Sequence, residues 1–154
     1  MAGFFADTER VPPAAVLLGA AGAVPFGLAA AAQWLTLPHL PADAAQAAGI
    51  VYAAVILSFL GGIRWGTALE LRSPRRQTSD FILSVLPALA GWIAVMLPGL
   101  LGVSLLIAGF LLQAQWDVVN ADRGRLPAWF GRLRMGLTAA AVLSLIAMLV
   151  ALLI

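Results

Sequence analysis

Long apolar segments alternate with short polar connections along this chain, and the pattern predicts membrane-spanning helices. The expected spans are five in number, residues 12–37, 44–69, 81–97, 100–116 and 133–154. A helix needs roughly 20 mainly apolar residues to cross the hydrocarbon core of a bilayer. The third and fourth spans are close to the lower limit of length, so a re-entrant hairpin made of these two is an alternative to two full crossings.

The composition is that of an integral membrane protein. Of the 154 residues, 62% are hydrophobic and 10% are charged, and the mean hydropathy is +0.99, whereas soluble domains are roughly 45 to 50% apolar. We therefore expect one all-α domain, a polytopic transmembrane helical bundle over residues 12–154. Residues 1–11 are expected to be an interfacial lead rather than a signal peptide, because Asp7 and Glu9 stand where a signal peptide carries positive charge.

The arginines favour one orientation of this bundle. All but one of the nine fall on the same side of the membrane under the five-span count, and the opposite loops carry none. Cytoplasmic loops are enriched in basic residues, so the N-terminus is expected in the cytoplasm, with the protein in a bacterial inner membrane. The net charge of +2 is too small to indicate nucleic acid. The arginines on that side are Arg10, Arg72, Arg75, Arg76, Arg123, Arg125, Arg132 and Arg134.

Arg64 differs from the other arginines because it lies inside the second apolar span, next to Trp65. A charge at this depth either reaches the headgroups along its own helix or faces the bundle and pairs with an acid. Among the candidate partners Asp80, Glu70 and Asp117, Asp117 is preferred, since it ends a polar stretch and shares a helix face with Gln113. The sequence thus predicts a polar binding cluster of Arg64, Asp117, Gln113 and Trp65.

Small residues recur four positions apart on the first two spans. Such a stripe lets two helix backbones approach closely, so a tight hairpin of these two helices is expected. An Ala-rich and Gly-rich chain also produces such stripes by chance, which is the competing interpretation. The positions assigned to helix packing are Gly19, Gly27, Ser58, Gly62 and Gly66.

Residue types exclude several kinds of chemistry. The chain has no cysteine and no lysine, which removes thiolate metal sites, thiol nucleophiles and Schiff bases. The single histidine, His39, falls in a loop and cannot supply the two imidazoles of a membrane haem. Asp117, Asn120 and Asp122 lack the ligand pattern of a divalent-ion loop. No catalytic residue, metal or cofactor is therefore expected, and the protein is not expected to be an enzyme.

Several motifs resemble a known family. They are Pro25, Tyr52, the run from Ile56 to Gly66, the Ser-Val-Leu-Pro segment at residues 84–87 with Trp92, and the segment from Pro127 to Arg134, in which Phe130 replaces a frequent tyrosine. With these motifs the chain resembles the bacterial and mitochondrial family of unknown function that includes transmembrane protein 69 of animals. The resemblance implies a multi-spanning protein of the bacterial cytoplasmic or mitochondrial inner membrane, and it implies no established activity.

Three functions are compatible with these observations. The preferred one is an accessory, scaffold or assembly protein whose partners are the lipid bilayer and other integral membrane proteins or another copy of itself. The alternative is a binder or carrier of a small hydrophobic or anionic molecule, such as a lipid or quinone, that uses Arg64. An enzyme acting on lipid headgroups through Asp117 and Arg64 is the third, and one acid with one arginine makes a sparse active site.

Overall fold

A computed structural model of the protein describes residues 10–35 and 41–154, and this part of the chain is almost entirely α-helical. The five helices are α1 (Pro13–Ala31), α2 (Ala42–Leu69), α3 (Pro74–Met96), α4 (Gly99–Asp122) and α5 (Ala128–Ala151). Each is long and apolar enough to span a membrane. The predicted all-helical, multi-spanning fold is confirmed. His39 and most of the expected N-terminal lead lie outside the described residues.

Prolines define where every helix begins. Pro13 and Pro74 are in the first turns of α1 and α3, and Pro41, Pro98 and Pro127 immediately precede α2, α4 and α5. A proline costs little at these positions, because the first backbone N–H groups of a helix have no acceptor within it. The connections from α2 to α3, from α3 to α4 and from α4 to α5 are short, at four, two and five residues.

The turn between α4 and α5 depends on a glycine. Gly124 has a φ of +70°, which is the left-handed conformation that commonly ends helices. The carbonyl of Asn120 accepts hydrogen bonds from the backbone N–H groups of Arg125 and Leu126 at 2.8 and 3.2 Å. This closes the end of α4 and sends the chain back along α5.

Two helices each pack against three others: α2 contacts α1, α3 and α4, and α4 contacts α2, α3 and α5, while α5 also contacts α1. Aromatic rings contact one another between these helices. The ring centroid of Phe26 lies 5.2 Å from that of Tyr52 and 5.6 Å from that of Phe110, with edge-to-face geometry in both cases. Tyr52 also donates a hydrogen bond of 2.8 Å to the carbonyl of Gly22. The largest fully buried side chains are Phe110, Leu57, Leu106, Leu145, Met148, Val103 and Asp117.

Helix boundaries differ from the predicted spans at the polar ends. α3 begins at Pro74 rather than 81, α4 continues to Asp122 rather than 116, and α5 begins at Ala128 rather than 133. Hydropathy marks only the part of a helix that crosses hydrocarbon, and these helices continue beyond it with polar residues. At 23 and 24 residues, α3 and α4 are no longer short, so the argument from length for a re-entrant hairpin is removed. α1 ends earlier than predicted, at Ala31.

The predicted packing stripe is mostly wrong. A side chain at Gly27, Gly62 or Gly66 would meet no atom within 4 Å, and Ser58 is exposed. Gly19 does lie in a helix contact, but its neighbour is on α5 rather than α2. A Cβ added at Gly19 would lie 2.7 Å from the side chain of Leu137.

Close backbone approach occurs at other glycines. A side chain at Gly61 would collide with the backbone carbonyl of Ser84 on α3, and one at Gly91 would lie 2.9 Å from the carbonyl oxygen of Ala54 on α2. The backbones of α2 and α3 therefore approach closely, and on α2 the contact lies one residue before the predicted Gly62. α1 and α2 also come close, since a Cβ added at Gly49 would lie 2.7 Å from the Cβ of Ala29.

Candidate functional site

Arg64 lies near the end of α2 and forms an ion pair with Asp80 of α3. Its Nε and Nη2 atoms donate hydrogen bonds of 3.1 and 2.9 Å to Oδ1 of Asp80, and the two side chains are 15% and 13% exposed. The guanidinium also lies 4.7 Å from the ring centroid of Trp116, within the range of a cation–π contact. The prediction of Asp117 as the partner is wrong. Because α3 begins two turns earlier than predicted, Asp80 lies inside the helix that packs most closely on α2.

Asp117 is paired instead with Arg134 of α5. The Nε atom of Arg134 lies 2.8 Å from Oδ2 of Asp117, and the side chains are 6% and 0% exposed. Gln113 donates to Oδ1 of Asp117 and to the backbone carbonyl of Leu60, both at 3.3 Å. Gln113 and Asp117 therefore do share a face, as predicted, and that face points into the bundle.

The predicted cluster is thus divided among different places. Gln113 and Asp117 belong to the buried pair, while Arg64 belongs to a pair at the edge of α2 and α3. Trp65 is 47% exposed and lies 4.7 Å from the ring centroid of Phe81. The binding role assigned to these residues stays a prediction.

Arg134 is not fully satisfied by its partner. Within the described ranges, its buried Nη2 atom has no hydrogen-bond acceptor, and the contact between Nε and Asp117 is a close ion pair outside hydrogen-bond geometry. A buried donor without an acceptor costs about 1 to 3 kcal/mol. Such groups are rare in native proteins, and each calls for an explanation.

A cleft in the bundle reaches Arg134. This lateral cleft has a volume of about 420 Å³ and lies between α1, α2 and α5, with Phe110 of α4 at its base. Leu18 and Phe59 on its walls are 74% and 71% exposed, so it opens sideways, toward where lipid lies in a membrane. The lining residues are Ala15, Leu18, Gly19, Gly22, Ala23, Phe26, Ile56, Phe59, Leu60, Phe110, Trp129, Phe130, Leu133, Arg134, Leu137 and Ala141.

The chemistry of the lateral cleft is simple. Its walls are aliphatic and aromatic side chains, and Arg134 is the only charged residue among the described residues that line it. A volume of this size lies within the roughly 300 to 1,000 Å³ of small-molecule sites, which are mostly apolar with few polar groups. The arrangement suits an elongated hydrophobic molecule whose polar end accepts a hydrogen bond.

Sequence reasoning missed Arg134 as a site residue. It was counted only among the loop arginines, since α5 was predicted to begin at residue 133. The structure starts α5 at Ala128, which places Arg134 almost two turns into the helix. Pro127 is the signal in the sequence that could have placed Arg134 inside the helix. A proline is common at the first turn of a helix, so it marks where α5 begins.

Comparisons with known proteins agree with the fold and give no activity. The model of a family described as a protein of unknown function, DUF3429, matches residues 11–150. Transmembrane protein 69 of Xenopus tropicalis is 36% identical over 145 residues, which are 92% of this chain and 56% of that protein. Transmembrane protein 69 of Mus musculus is 31% identical over 144 residues, 90% of this chain and 56% of that protein.

The chain spans about half the length of these curated relatives. No solved structure matches it. The resemblance predicted from the sequence motifs is confirmed.

Proposed function

We propose that this chain, which belongs to the DUF3429 family of proteins of unknown function, binds a small hydrophobic molecule in the lateral cleft. The observation that carries the proposal is the apolar cleft of about 420 Å³ itself, which is open to the side and has Arg134 among its described lining residues. A ligand oxygen that reached the guanidinium of Arg134 would satisfy its Nη2 donor, which is buried without an acceptor among the described residues.

The ion pair indicates the kind of polar end. Asp117 already neutralises Arg134, so the cleft offers a hydrogen-bond donor rather than an excess of positive charge. A neutral carbonyl, such as that of a quinone or an acyl ester, meets this requirement without burying a further charge, which is costly in an apolar site. Arg64 was the predicted contact, but its guanidinium is engaged by Asp80 and Trp116.

Gentle extraction followed by native mass spectrometry and lipid analysis tests the proposal. We expect the wild-type protein to retain a hydrophobic molecule, and added quinone or diacyl lipid to raise the melting temperature. A ligand at 100 times its Kd adds roughly 2.7 kcal/mol of stability, which is several degrees for a domain of this size.

A matched pair of variants on α1 locates the site. Ala23→Leu fills the lateral cleft, whereas Ala20→Leu adds the same side chain at an exposed position that does not line it. We expect Ala23→Leu to lose the ligand and Ala20→Leu to keep it. Equal retention by both variants, or no compound that stabilises the wild type, would contradict the proposal. Arg134→Lys keeps the positive charge beside Asp117 but removes the planar guanidinium group. It should therefore weaken the binding of ligands that have a carbonyl end.

An accessory role is the second candidate, and one observation favours it. Ser58, Gly62 and Gly66 form an exposed stripe on α2 rather than a contact within the bundle. Small residues on a lipid-facing surface allow a helix of another membrane protein to approach closely. The same native mass spectra would reveal such a partner as a co-purifying protein, and its absence under gentle extraction would count against this role.

We also propose that the arginine-rich end of the bundle faces the cytoplasm of a bacterial cell. Support comes from the turns at residues 70–73 and 123–127, which lie at that end with Arg72, Arg123 and Arg125, while the turn at Leu97 and Pro98 has no basic residue. The cysteine-free chain allows a direct test. Ser73→Cys, in the turn at residues 70–73, should be protected from impermeant thiol reagents in intact cells, and Ile154→Cys should react; the reverse pattern would invert the orientation.

A further inference from the structure

A second polar feature lies at the arginine-rich end of the bundle, away from the lateral cleft. Two adjoining cavities of about 500 and 290 Å³ lie between α3 and the end of α4, and Asp80, Arg123 and Arg125 line both of them. We call this feature the basic groove. Its polar lining comprises Arg64, Arg76, Ser79, Asp80, Gln115, Asn120, Arg123 and Arg125.

The basic groove has more positive charge than its own residues compensate. Among the described residues that line it, four are arginines and one is a carboxylate, Asp80, which is held by Arg64. Arg125 donates a hydrogen bond of 3.3 Å to Asn120, a neutral partner. Across the described residues, Arg76 and Arg123 form no ion pair. Because these arginines come from the start of α3 and from the α4–α5 turn, their convergence costs repulsion that a bound anion would offset.

Apolar side chains continue the basic groove along α4. Leu112, Trp116 and Val119 line the larger cavity together with the arginines, and Leu112 is 67% exposed. These residues lie one to three turns deeper along α4 than Arg123, on a surface that faces lipid. A free phosphate ion would use only the arginines, whereas a phospholipid would place its phosphate among them and its acyl chains along Leu112.

We propose that the basic groove binds the phosphate group of an anionic phospholipid. Guanidinium groups bind phosphate oxygens with two parallel hydrogen bonds, and basic pockets between membrane helices are suited to anionic headgroups. This site is independent of the lateral cleft, which is lined by different residues and offers no excess charge. The two proposals can therefore fail separately.

Lipid titration of the detergent-solubilised protein, followed by native mass spectrometry, tests the proposal. The test variant is Arg76→Gln with Arg123→Gln, which neutralises two groove arginines that have no ion-pair partner within the described ranges. The control is Arg72→Gln with Arg75→Gln, which removes the same charge at the same end from residues outside the groove. We expect phosphatidylglycerol to bind the wild type more tightly than phosphatidylcholine, and the test variant to lose this affinity about tenfold while the control loses much less.

Three results would overturn the proposal. They are equal loss in the test and control variants, no preference of the wild type for phosphatidylglycerol over phosphatidylcholine, or full displacement of the lipid by millimolar inorganic phosphate. The last result would identify a soluble phosphate as the ligand. If the double variant does not fold, as judged by circular dichroism, Arg123→Gln alone replaces it, with Arg72→Gln as its control.

Discussion

The bundle contains two helix hairpins of similar plan, α2–α3 and α4–α5, and each has an ion pair near its turn. Arg64 and Asp117 lie five residues before the ends of α2 and α4, and Asp80 and Arg134 lie six residues after the starts of α3 and α5. All four are therefore roughly 8 Å from a helix end at 1.5 Å per residue. The order of charges is reversed between the hairpins.

The two pairs differ in burial and in how completely they are satisfied. Arg64 and Asp80 keep 15% and 13% of their side chains exposed, and both guanidinium contacts to Asp80 are hydrogen bonds. The side chains of Asp117 and Arg134 are 0% and 6% exposed, and Nη2 of Arg134 has no hydrogen-bond acceptor in the described part of the chain. The partly exposed pair is joined by two hydrogen bonds, whereas the buried pair leaves one guanidinium donor without an acceptor among the described residues. A charged residue inside a membrane protein is thus better judged by its unmet hydrogen bonds than by its depth.

Breaking the buried pair should have the largest effect. Asp117→Asn keeps the shape of the side chain and leaves Arg134 as an unpaired charge in the bundle. Removal of one partner of a buried pair costs about 3 to 5 kcal/mol, so we expect a large fall in the free energy of unfolding. Unfolding in mixed micelles of mild detergent and dodecyl sulfate measures this quantity.

Two further variants complete the comparison of the pairs. Asp80→Asn should cost about 1 kcal/mol or less, as for partly exposed pairs, because Arg64 retains Trp116 and lies near the headgroups. Asp117→Asn combined with Arg134→Gln should be milder than the sum of its single changes, since neither charge is left alone. Additive losses, or a cost for Asp80→Asn that equals the cost for Asp117→Asn, would show that burial does not distinguish the pairs.

The fold was predictable because hydropathy and proline positions are local signals. Five apolar segments predicted five helices, and each helix begins at or directly after a proline that can be read from the chain. The pairing of charges was less predictable, since it depends on helix boundaries to within one turn. The predicted start of α5 was five residues late, so Arg134 was not considered as a site residue. The predicted start of α3 was seven residues late, so Asp117 was preferred to Asp80 as the partner of Arg64.

Rotation about the helix axis was the least predictable property. In a soluble helix the polar face marks the outside, but a membrane helix is apolar on its buried face and on its lipid face alike. Gly61 and Gly62 illustrate the consequence. Successive residues differ by about 100° around the axis, and nothing in their neighbours' hydropathy indicates which of them faces α3.

This pair of glycines tests how the α2–α3 hairpin is held. Gly61→Ala places a methyl group against the carbonyl of Ser84 and the ring of Pro87, and overpacking of this kind costs about 1 to 3 kcal/mol. Gly62→Ala meets open space and gains up to about 1 kcal/mol of helix propensity. In the same unfolding assay, Gly61→Ala should therefore lower the free energy of unfolding and Gly62→Ala should raise it. If α2 and α3 are held by close backbone contact, Gly61→Ala costs more than Asp80→Asn; the opposite ranking would make the exposed ion pair the main contact of that hairpin.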